Sequence, residues 1–413
     1  MPSYATMPSA SIAQAERPRD IWYTDLPAIT LALAIFGFPF GATASTWLGT
    51  TDNTLTVAMR AITFGACAML IIRQLWRRKV SLPDISLFLF AIAYTVRLVW
   101  DFLIVGNEAG GTALLYFGIT VAAPTVALAS VPKTTWNERS ALIAMLTSGA
   151  VCVLVALWST LSGQGLAAGE ATAYALDSGG RLGLERLNPI ALGHMAVSVT
   201  LISFMMFQTE KSLIRRLGLT LIGISALYLV LLSASRGPLI ALFVSMGFIA
   251  LTNGRIFLLT ILLLSLFIFS ILFSVVDINS ILDVTRFSGT GSDANSISRL
   301  DYFGEALDVF YKSPLVGGSF EMPISGGYPH NFFIEILMAT GVAGFILIIR
   351  PVYRSIVAAF RLSQDGGNLG AVLLFQSFVG LQFSGSLWGS SGWWIAIVMV
   401  LGGLGAQNQL RAR

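Results

Sequence analysis

Apolar residues run through this chain in blocks separated by short polar joints, and one polar stretch, residues 277–329, is far longer than the rest. A block of about 20 such residues spans hydrocarbon as a helix, because a helical backbone satisfies its own hydrogen bonds. The pattern predicts about twelve spans: 26–49, 55–72, 83–105, 112–131, 141–162, 187–207, 217–235, 238–253, 256–276, 330–350, 368–387 and 392–406. These divide the chain into a tail over 1–25, nine helices over 26–276, the polar segment 277–329, three helices over 330–406 and a tail over 407–413. Within the polar segment, Leu300, Phe303, Leu307 and Phe310 have the spacing of an amphipathic helix lying on a membrane surface. Ser313-Pro314-Leu315-Val316-Gly317-Gly318 stops that helix. The expected fold is an all-α polytopic membrane protein.

Composition agrees and narrows the class. The chain is 55% hydrophobic and 11% charged, with 27 Phe and a mean hydropathy of +0.78. A water-soluble chain of 413 residues could not cover that much apolar surface. The basic residues form short scattered clusters, not a stripe, so no nucleic-acid partner is expected. Cys67 and Cys152 fall in apolar runs, which speaks against a disulfide framework or a thiolate metal site. The first apolar run leads into further spans without a small-residue cleavage pattern and reads as an uncleaved helix.

Lys and Arg set the orientation. Arg17/Arg19, Arg73/Arg77/Arg78/Lys79, Lys133/Arg139, Lys211/Arg215/Arg216, Arg255, Arg350/Arg354/Arg361 and Arg411/Arg413 fall at every second joint. The positive-inside rule places those joints and both termini in the cytoplasm, and residues 277–329 outside. Arg60, Arg97, Arg181, Arg186, Arg236, Arg286, Arg299 and Lys312 remain. Six of these lie at or beyond the outer face, where the rule predicts depletion. They either pair with outer acids such as Asp301, Glu305 and Glu321 or converge on an anionic ligand.

His330, in Tyr328-Pro329-His330-Asn331-Phe332-Phe333-Ile334-Glu335, stands where a spanning helix meets the long outer segment. A titratable imidazole there is a candidate general base; its ordinary alternative is a structural hydrogen bond at a helix end. Pro329 and Asn331 would hold the entry to the helix. Arg236, in Ser233-Ala234-Ser235-Arg236-Gly237-Pro238, sits in a tight turn ahead of a helix whose first amides could face an anion. Snorkelling to lipid phosphates is its bland alternative. For Arg299 that alternative is a salt bridge to Asp301 or Glu305. Arg97 and Asp101 are four apart and can neutralise each other on one helix face. His194 reads as an interhelical packing residue. Glu335 is either a second ionisable group near the site or a buried partner for Arg60. No Asp-rich metal motif occurs.

In order and spacing, Ser235-Arg236-Gly237, Arg299, Ser313-Pro314-Leu315-Val316-Gly317-Gly318, His330-Asn331 with Glu335, and Gly341-Val342-Ala343-Gly344 resemble the O-antigen ligase and polysaccharide polymerase family. Arg186-Leu187-Asn188-Pro189 also looks like its pattern. The resemblance covers about residues 181–346; the first five predicted spans agree in hydropathy alone. Gly317-Gly318-Ser319 departs from a pattern in which one residue often separates the glycines. The family implies a GT-C-like enzyme of the bacterial inner membrane, working at its periplasmic face. Such enzymes move a glycan from undecaprenyl diphosphate to an acceptor hydroxyl, on lipid A–core in ligases and on a second lipid-linked repeat in polymerases. By resemblance His330 is catalytic, Arg236 and Arg299 bind the diphosphate, and Arg186, Asn331 and Glu335 are auxiliary, with no metal or other cofactor. Ligase is the preferred reading and polymerase the alternative. A lipid-linked sugar flippase or other transporter would show related halves, and none are visible. A peptidoglycan-type polymerase would need a carboxylate as its key outer residue.

Overall fold

The computed structural model of the protein describes residues 21–50, 52–76, 84–132, 136–162, 182–184, 186–233, 235–252, 294–364 and 368–411, with side chains except at 21–25, 294–299 and 404–411. The predicted span 256–276, residues 277–293 of the long polar segment, Arg181 and Arg286 lie outside the described residues.

Regular structure among the described residues is helical: α1 (Ile21–Leu48), α2 (Thr54–Trp76), α3 (Ile85–Leu103), α4 (Glu108–Tyr116), α5 (Ala123–Ala129), α6 (Glu138–Ser162), α7 (Pro189–Thr209), α8 (Leu213–Leu232), α9 (Arg236–Thr252), α10 (Ala294–Lys312), α11 (Phe332–Leu362), α12 (Leu369–Phe383) and α13 (Ser391–Arg411). Among the described residues eight helical stretches are long and apolar enough to cross a membrane, and three shorter apolar helices accompany them. Each predicted span within the described residues has its helix. The protein is a multi-pass membrane protein.

Two boundaries differ from expectation. The span predicted over 112–131 is α4 and α5 joined by a π-helical turn at Phe117–Ala122. The turn widens just ahead of Pro124, which has no N–H to continue an α-helical ladder. Helix α11 runs on to Leu362, well past residue 350, and carries Arg354 to a contact with Asp84 at the start of α3.

Lipid is as apolar as leucine, so close packing holds these helices together. Helix α1 packs on α2 and α6, α7 on α8, α9 on α12, and α11 on α3 and α13. On α1, Gly37 and Gly41 let the backbone of α2 approach. A Cβ at Gly37 would stand 2.9 Å from Thr63 Oγ1, and one at Gly41 3.0 Å from the Leu55 carbonyl. The Phe332 ring meets Trp393 at 4.9 Å and Phe378 at 5.8 Å, which fixes the first turn of α11 against α12 and α13. Cys67 and Cys152 are buried and free.

Helix α11 is broken at Gly341, whose φ of 63° and ψ of −162° leave the helical region. The segment after α10 fills the break. Val342 and Ala343 donate to the carbonyls of Pro314 (2.9 Å) and Leu315 (3.1 Å), and Gly318 donates to Met338 (2.9 Å). Arg97 clamps the same turn. Its guanidinium donates to the carbonyls of Gly317 (2.7 Å), Ala339 (3.0 Å) and Gly318 (3.1 Å) and to Asp101 (3.3 Å). Asp101 in turn accepts from the Phe320 N–H at 2.8 Å. The expected Arg97–Asp101 pair is present, inside a larger network.

Helix α10 docks through Tyr302, Ala306 and Val309 onto Met322, Ile334 and Met338. The apolar stripe at 300, 303, 307 and 310 lies about a third of a turn round the helix from this docking face, and Leu300 on it is exposed.

Candidate active site

At the end of the bundle opposite the Asp84–Arg354 pair, the N-termini of α7, α11 and α13 gather around a cavity of about 680 Å³. Asn188, His330 and Ser391, at or beside the starts of those helices, all line it. Helix N-termini carry about half a positive charge each, so this end suits an anionic ligand.

His330 owes its placement to a short, over-determined turn. It has a φ of 53°, a left-handed value that is uncommon for a residue with a side chain. Asn331 follows in extended conformation and caps α11, accepting from the N–H groups of Phe333 (3.1 Å) and Ile334 (3.2 Å). The fixed φ and the cap together aim the half-buried imidazole at the cavity wall. Its ring stands 4.6 Å from Tyr328, edge to face, and 6.4 Å from Tyr302 of α10.

Tyr328 joins this turn to the rest of the site. Its hydroxyl donates to the Ser384 carbonyl at 3.3 Å. Burial, and after it the charge of Glu335, push its phenol up to about 12, so it stays a donor at neutral pH. The Ser384 hydroxyl lies 3.5 Å from His194 Nε2. Beyond Tyr328 the aromatic wall continues through Trp388 (6.3 Å) to Tyr116 (6.0 Å from Trp388).

Arg236 opens α9 and is half-buried; it is not among the residues that line the cavity. Its neighbour Gly237 lies against Phe383 and Ser384, so the Arg236 turn and the His330 turn meet the same short connection after α12. Gly193 makes that approach workable: a Cβ there would be 2.7 Å from Pro238 and 2.8 Å from the Ser233 hydroxyl. Arg299 lies in the first part of α10, three residues before Tyr302; its side chain is outside the described residues. The Glu305 carboxylate accepts from the N–H groups of Ile324 and Ser325. Arg186, half-buried, donates to the Asn53 side chain and so ties the strand-like turn before α7 to the start of α2.

Glu335 does not pair with Arg60; it stands beside the site, against the residue that precedes Trp388 of the cavity wall. It is fully buried and accepts from the Leu387 N–H at 2.9 and 3.1 Å, with the Tyr94 hydroxyl at 3.4 Å. Arg60 instead donates to the Tyr116 hydroxyl at 3.2 Å. His194, weighed as packing, is an interhelical residue and also lines the cavity. Arg60, Tyr116 and Trp388 were missed as site residues. Only an intramembrane charge at Arg60 could have signalled them, because their meeting is set by tertiary packing. Among the described residues no group of three His, Cys, Asp or Glu side chains converges as a metal site would require.

Residues 218–349 match the family model described as O-antigen ligase. The match takes in the Arg236 turn, α10, the His330 turn and the Gly341 break. No curated protein and no solved structure matches the chain.

Proposed function

Residues 218–349 belong to the O-antigen ligase family of membrane enzymes, and from that premise we propose that the protein transfers a glycan from undecaprenyl diphosphate to the hydroxyl of lipid A–core. The observation that carries the reading is His330, held by an unusual backbone angle and the Asn331 cap at the wall of a cavity, within the matched segment. In this reading the cavity faces the periplasm, both termini are cytoplasmic and the membrane is the bacterial inner membrane. The clustering of Lys and Arg at alternate joints supports that orientation.

The acceptor hydroxyl attacks the anomeric carbon, the bond to the diphosphate oxygen breaks, and the acceptor proton passes to His330. One displacement inverts the anomeric centre. The diphosphate leaves with its electron pair, and Arg236 and Arg299 stabilise the charge that develops on it. Two guanidiniums do here what a divalent metal does in many soluble glycosyltransferases. Arg186 and Asn331 act indirectly, through the rim of the cavity and the cap of α11.

The test is transfer in nanodiscs holding purified protein, a lipid-linked glycan donor and lipid A–core. His330→Ala should lose at least about a hundredfold in rate. Full activity in that variant, or a magnesium requirement that survives repurification, sinks the mechanism. Polymerase is the second reading, since the same donor and residues serve both reactions. The surface glycan of a deletion strain separates them: long lipid-linked polymer that never reaches lipid A–core marks a ligase, and single capped repeats mark a polymerase. Flipping of lipid-linked sugar without transfer would instead mark a transporter.

A further inference from the structure

Arg60 lies about two turns into α2, on the cavity wall and outside the matched segment. Its guanidinium stands 4.5 Å from the Tyr116 ring and 5.1 Å from the Phe38 ring, with one hydrogen bond, to the Tyr116 hydroxyl. Among the described residues its buried Nε has no hydrogen-bond partner and no carboxylate pairs with it. An arginine inside a membrane helix is expensive, and aromatic faces offset only part of that cost. The two rings and the Tyr116 hydroxyl hold the guanidinium at the cavity wall and use one of its five N–H groups, and the planar fork is how arginine grips an oxyanion.

The cavity joins this group to the candidate base. From His330 the wall runs through Tyr328, Trp388 and Tyr116 to Arg60, with successive ring separations of 4.6, 6.3 and 6.0 Å and the guanidinium 4.5 Å beyond. Flat aromatic faces suit the apolar faces of sugar rings, and the polar groups between them, such as Gln376 and Ser384, suit their hydroxyls. Arg236 does not line this cavity. Tyr302 of α10, the helix that carries Arg299, stands 6.4 Å from the His330 ring and is not among the residues that line the cavity.

We propose that the cavity is the acceptor's site and that Arg60 binds an anionic group, phosphate or carboxylate, carried by the acceptor glycan. The assignment of acceptor and donor rests on the function proposed above. Arg60 is a binding and specificity residue, set apart from the groups that would hold the donor diphosphate.

The test measures binding alone, with full-length protein in zwitterionic nanodiscs and no donor present. Fluorescent lipid A–core is titrated intact, after dephosphorylation, and after reduction of its carboxyl groups; glycan-free undecaprenyl diphosphate is titrated separately. Arg60→Gln should weaken the intact acceptor about tenfold or more, the loss of one charge-assisted contact. Removing the acceptor group that Arg60 holds should weaken the unaltered protein by the same factor. The two changes together should cost no more than either, and the dephosphorylated and reduced arms tell phosphate from carboxylate. Arg60→Lys should recover part of the loss, and undecaprenyl diphosphate binding should not change.

Equal binding of intact and fully neutralised acceptor by the unaltered protein overturns the proposal, and that comparison needs no variant to fold. So does unaltered acceptor binding by Arg60→Gln, or a loss that falls on undecaprenyl diphosphate instead. If acceptor binding behaves as expected but no glycan is transferred when donor is added, the proposed reaction fails and the Arg60 contact stands.

Discussion

Arg97 donates to the carbonyl oxygen of Gly317 at 2.7 Å, although 220 residues separate them. The contact fastens the turn after α10 into the break of α11, and that turn carries the loop leading to His330. Replacing Arg97 with Met would strand Asp101 and several carbonyls without their donor. Removing one partner of such a pair costs about 3–5 kcal/mol. We expect Arg97→Met to lower the melting temperature sharply in detergent, and the double change Arg97→Met with Asp101→Leu to melt higher than the single one. A double variant no better than the single would mean that Asp101 does not need Arg97.

The break itself depends on two glycines. A Cβ at Gly317 would stand 2.4 Å from the Ala339 carbonyl carbon, and one at Gly341 2.5 Å from that of Leu315; both residues have positive φ. Alanine at either position is expected to prevent folding to a monodisperse species in detergent. A well-folded Gly341→Ala protein with unchanged melting would show that the break can close.

How much of this was legible in the sequence follows from which interactions are local. Spans were readable because the cost of exposing polar backbone to hydrocarbon forces long apolar runs. The cap at Asn331 and the Arg97–Asp101 pair were readable because their partners lie within four residues. The carbonyls that Arg97 clamps were not, since Val316, Gly317, Gly318 and Ala339 reach α3 only through the fold. The face by which α10 docks was not legible for the same reason: the small Ala306 is buried against Met338 only through the fold. Arg60 could be noted as a charge in a span, but the Tyr116, Tyr328 and Trp388 wall that joins it to His330 comes from three separate parts of the bundle.

Asn331 should matter more to activity than to folding. Losing an N-cap costs about 0.5–2 kcal/mol, a modest fraction for a bundle of this size. The imidazole next to it would lose its fixed entry, and small misplacements of a catalytic group cost about a hundredfold. We expect Asn331→Ala to keep nearly the parent melting temperature while glycan transfer falls at least tenfold, and Asn331→Asp to restore much of it. Equal activity in Asn331→Ala would remove the cap from the account of His330.

The loop between α10 and α11 should loosen in acid. Burial alone would raise the Glu305 carboxyl, but hydrogen bonds from the Ser325 side chain and from the N–H groups of Ile324 and Ser325 outweigh it and hold it below the usual range. A depressed value stabilises the folded loop fully above the unfolded carboxyl's ordinary range. That support is lost as pH falls through the depressed value. Hydrogen exchange over residues 321–328 should therefore be slow at neutral pH, beyond the ordinary pH dependence of exchange chemistry, and quicken in acid. Glu305→Gln should exchange quickly throughout and show no such transition. A parent-like acid transition in Glu305→Gln would assign the effect to another group, with Glu321, which accepts from Gly327 at 2.7 Å, the next to test.

Glu335 is the residue for which a structural and a catalytic role predict different data. Its carboxylate is spent on the Leu387 N–H and the Tyr94 hydroxyl, and Leu387 precedes Trp388 of the cavity wall. Glu335→Ala leaves a buried donor unpaired, at about 1–3 kcal/mol, and frees the Trp388 turn to shift. Stability and acceptor affinity should fall together, while the pH dependence of kcat keeps its shape because no proton passes through this group. Glu335→Gln keeps an acceptor for Leu387 and should regain most of the stability. If instead Glu335→Gln melts like the parent but loses the basic or acidic limb of the pH–rate profile, the carboxylate takes part in proton transfer, and the imidazole of His330 is not the only base.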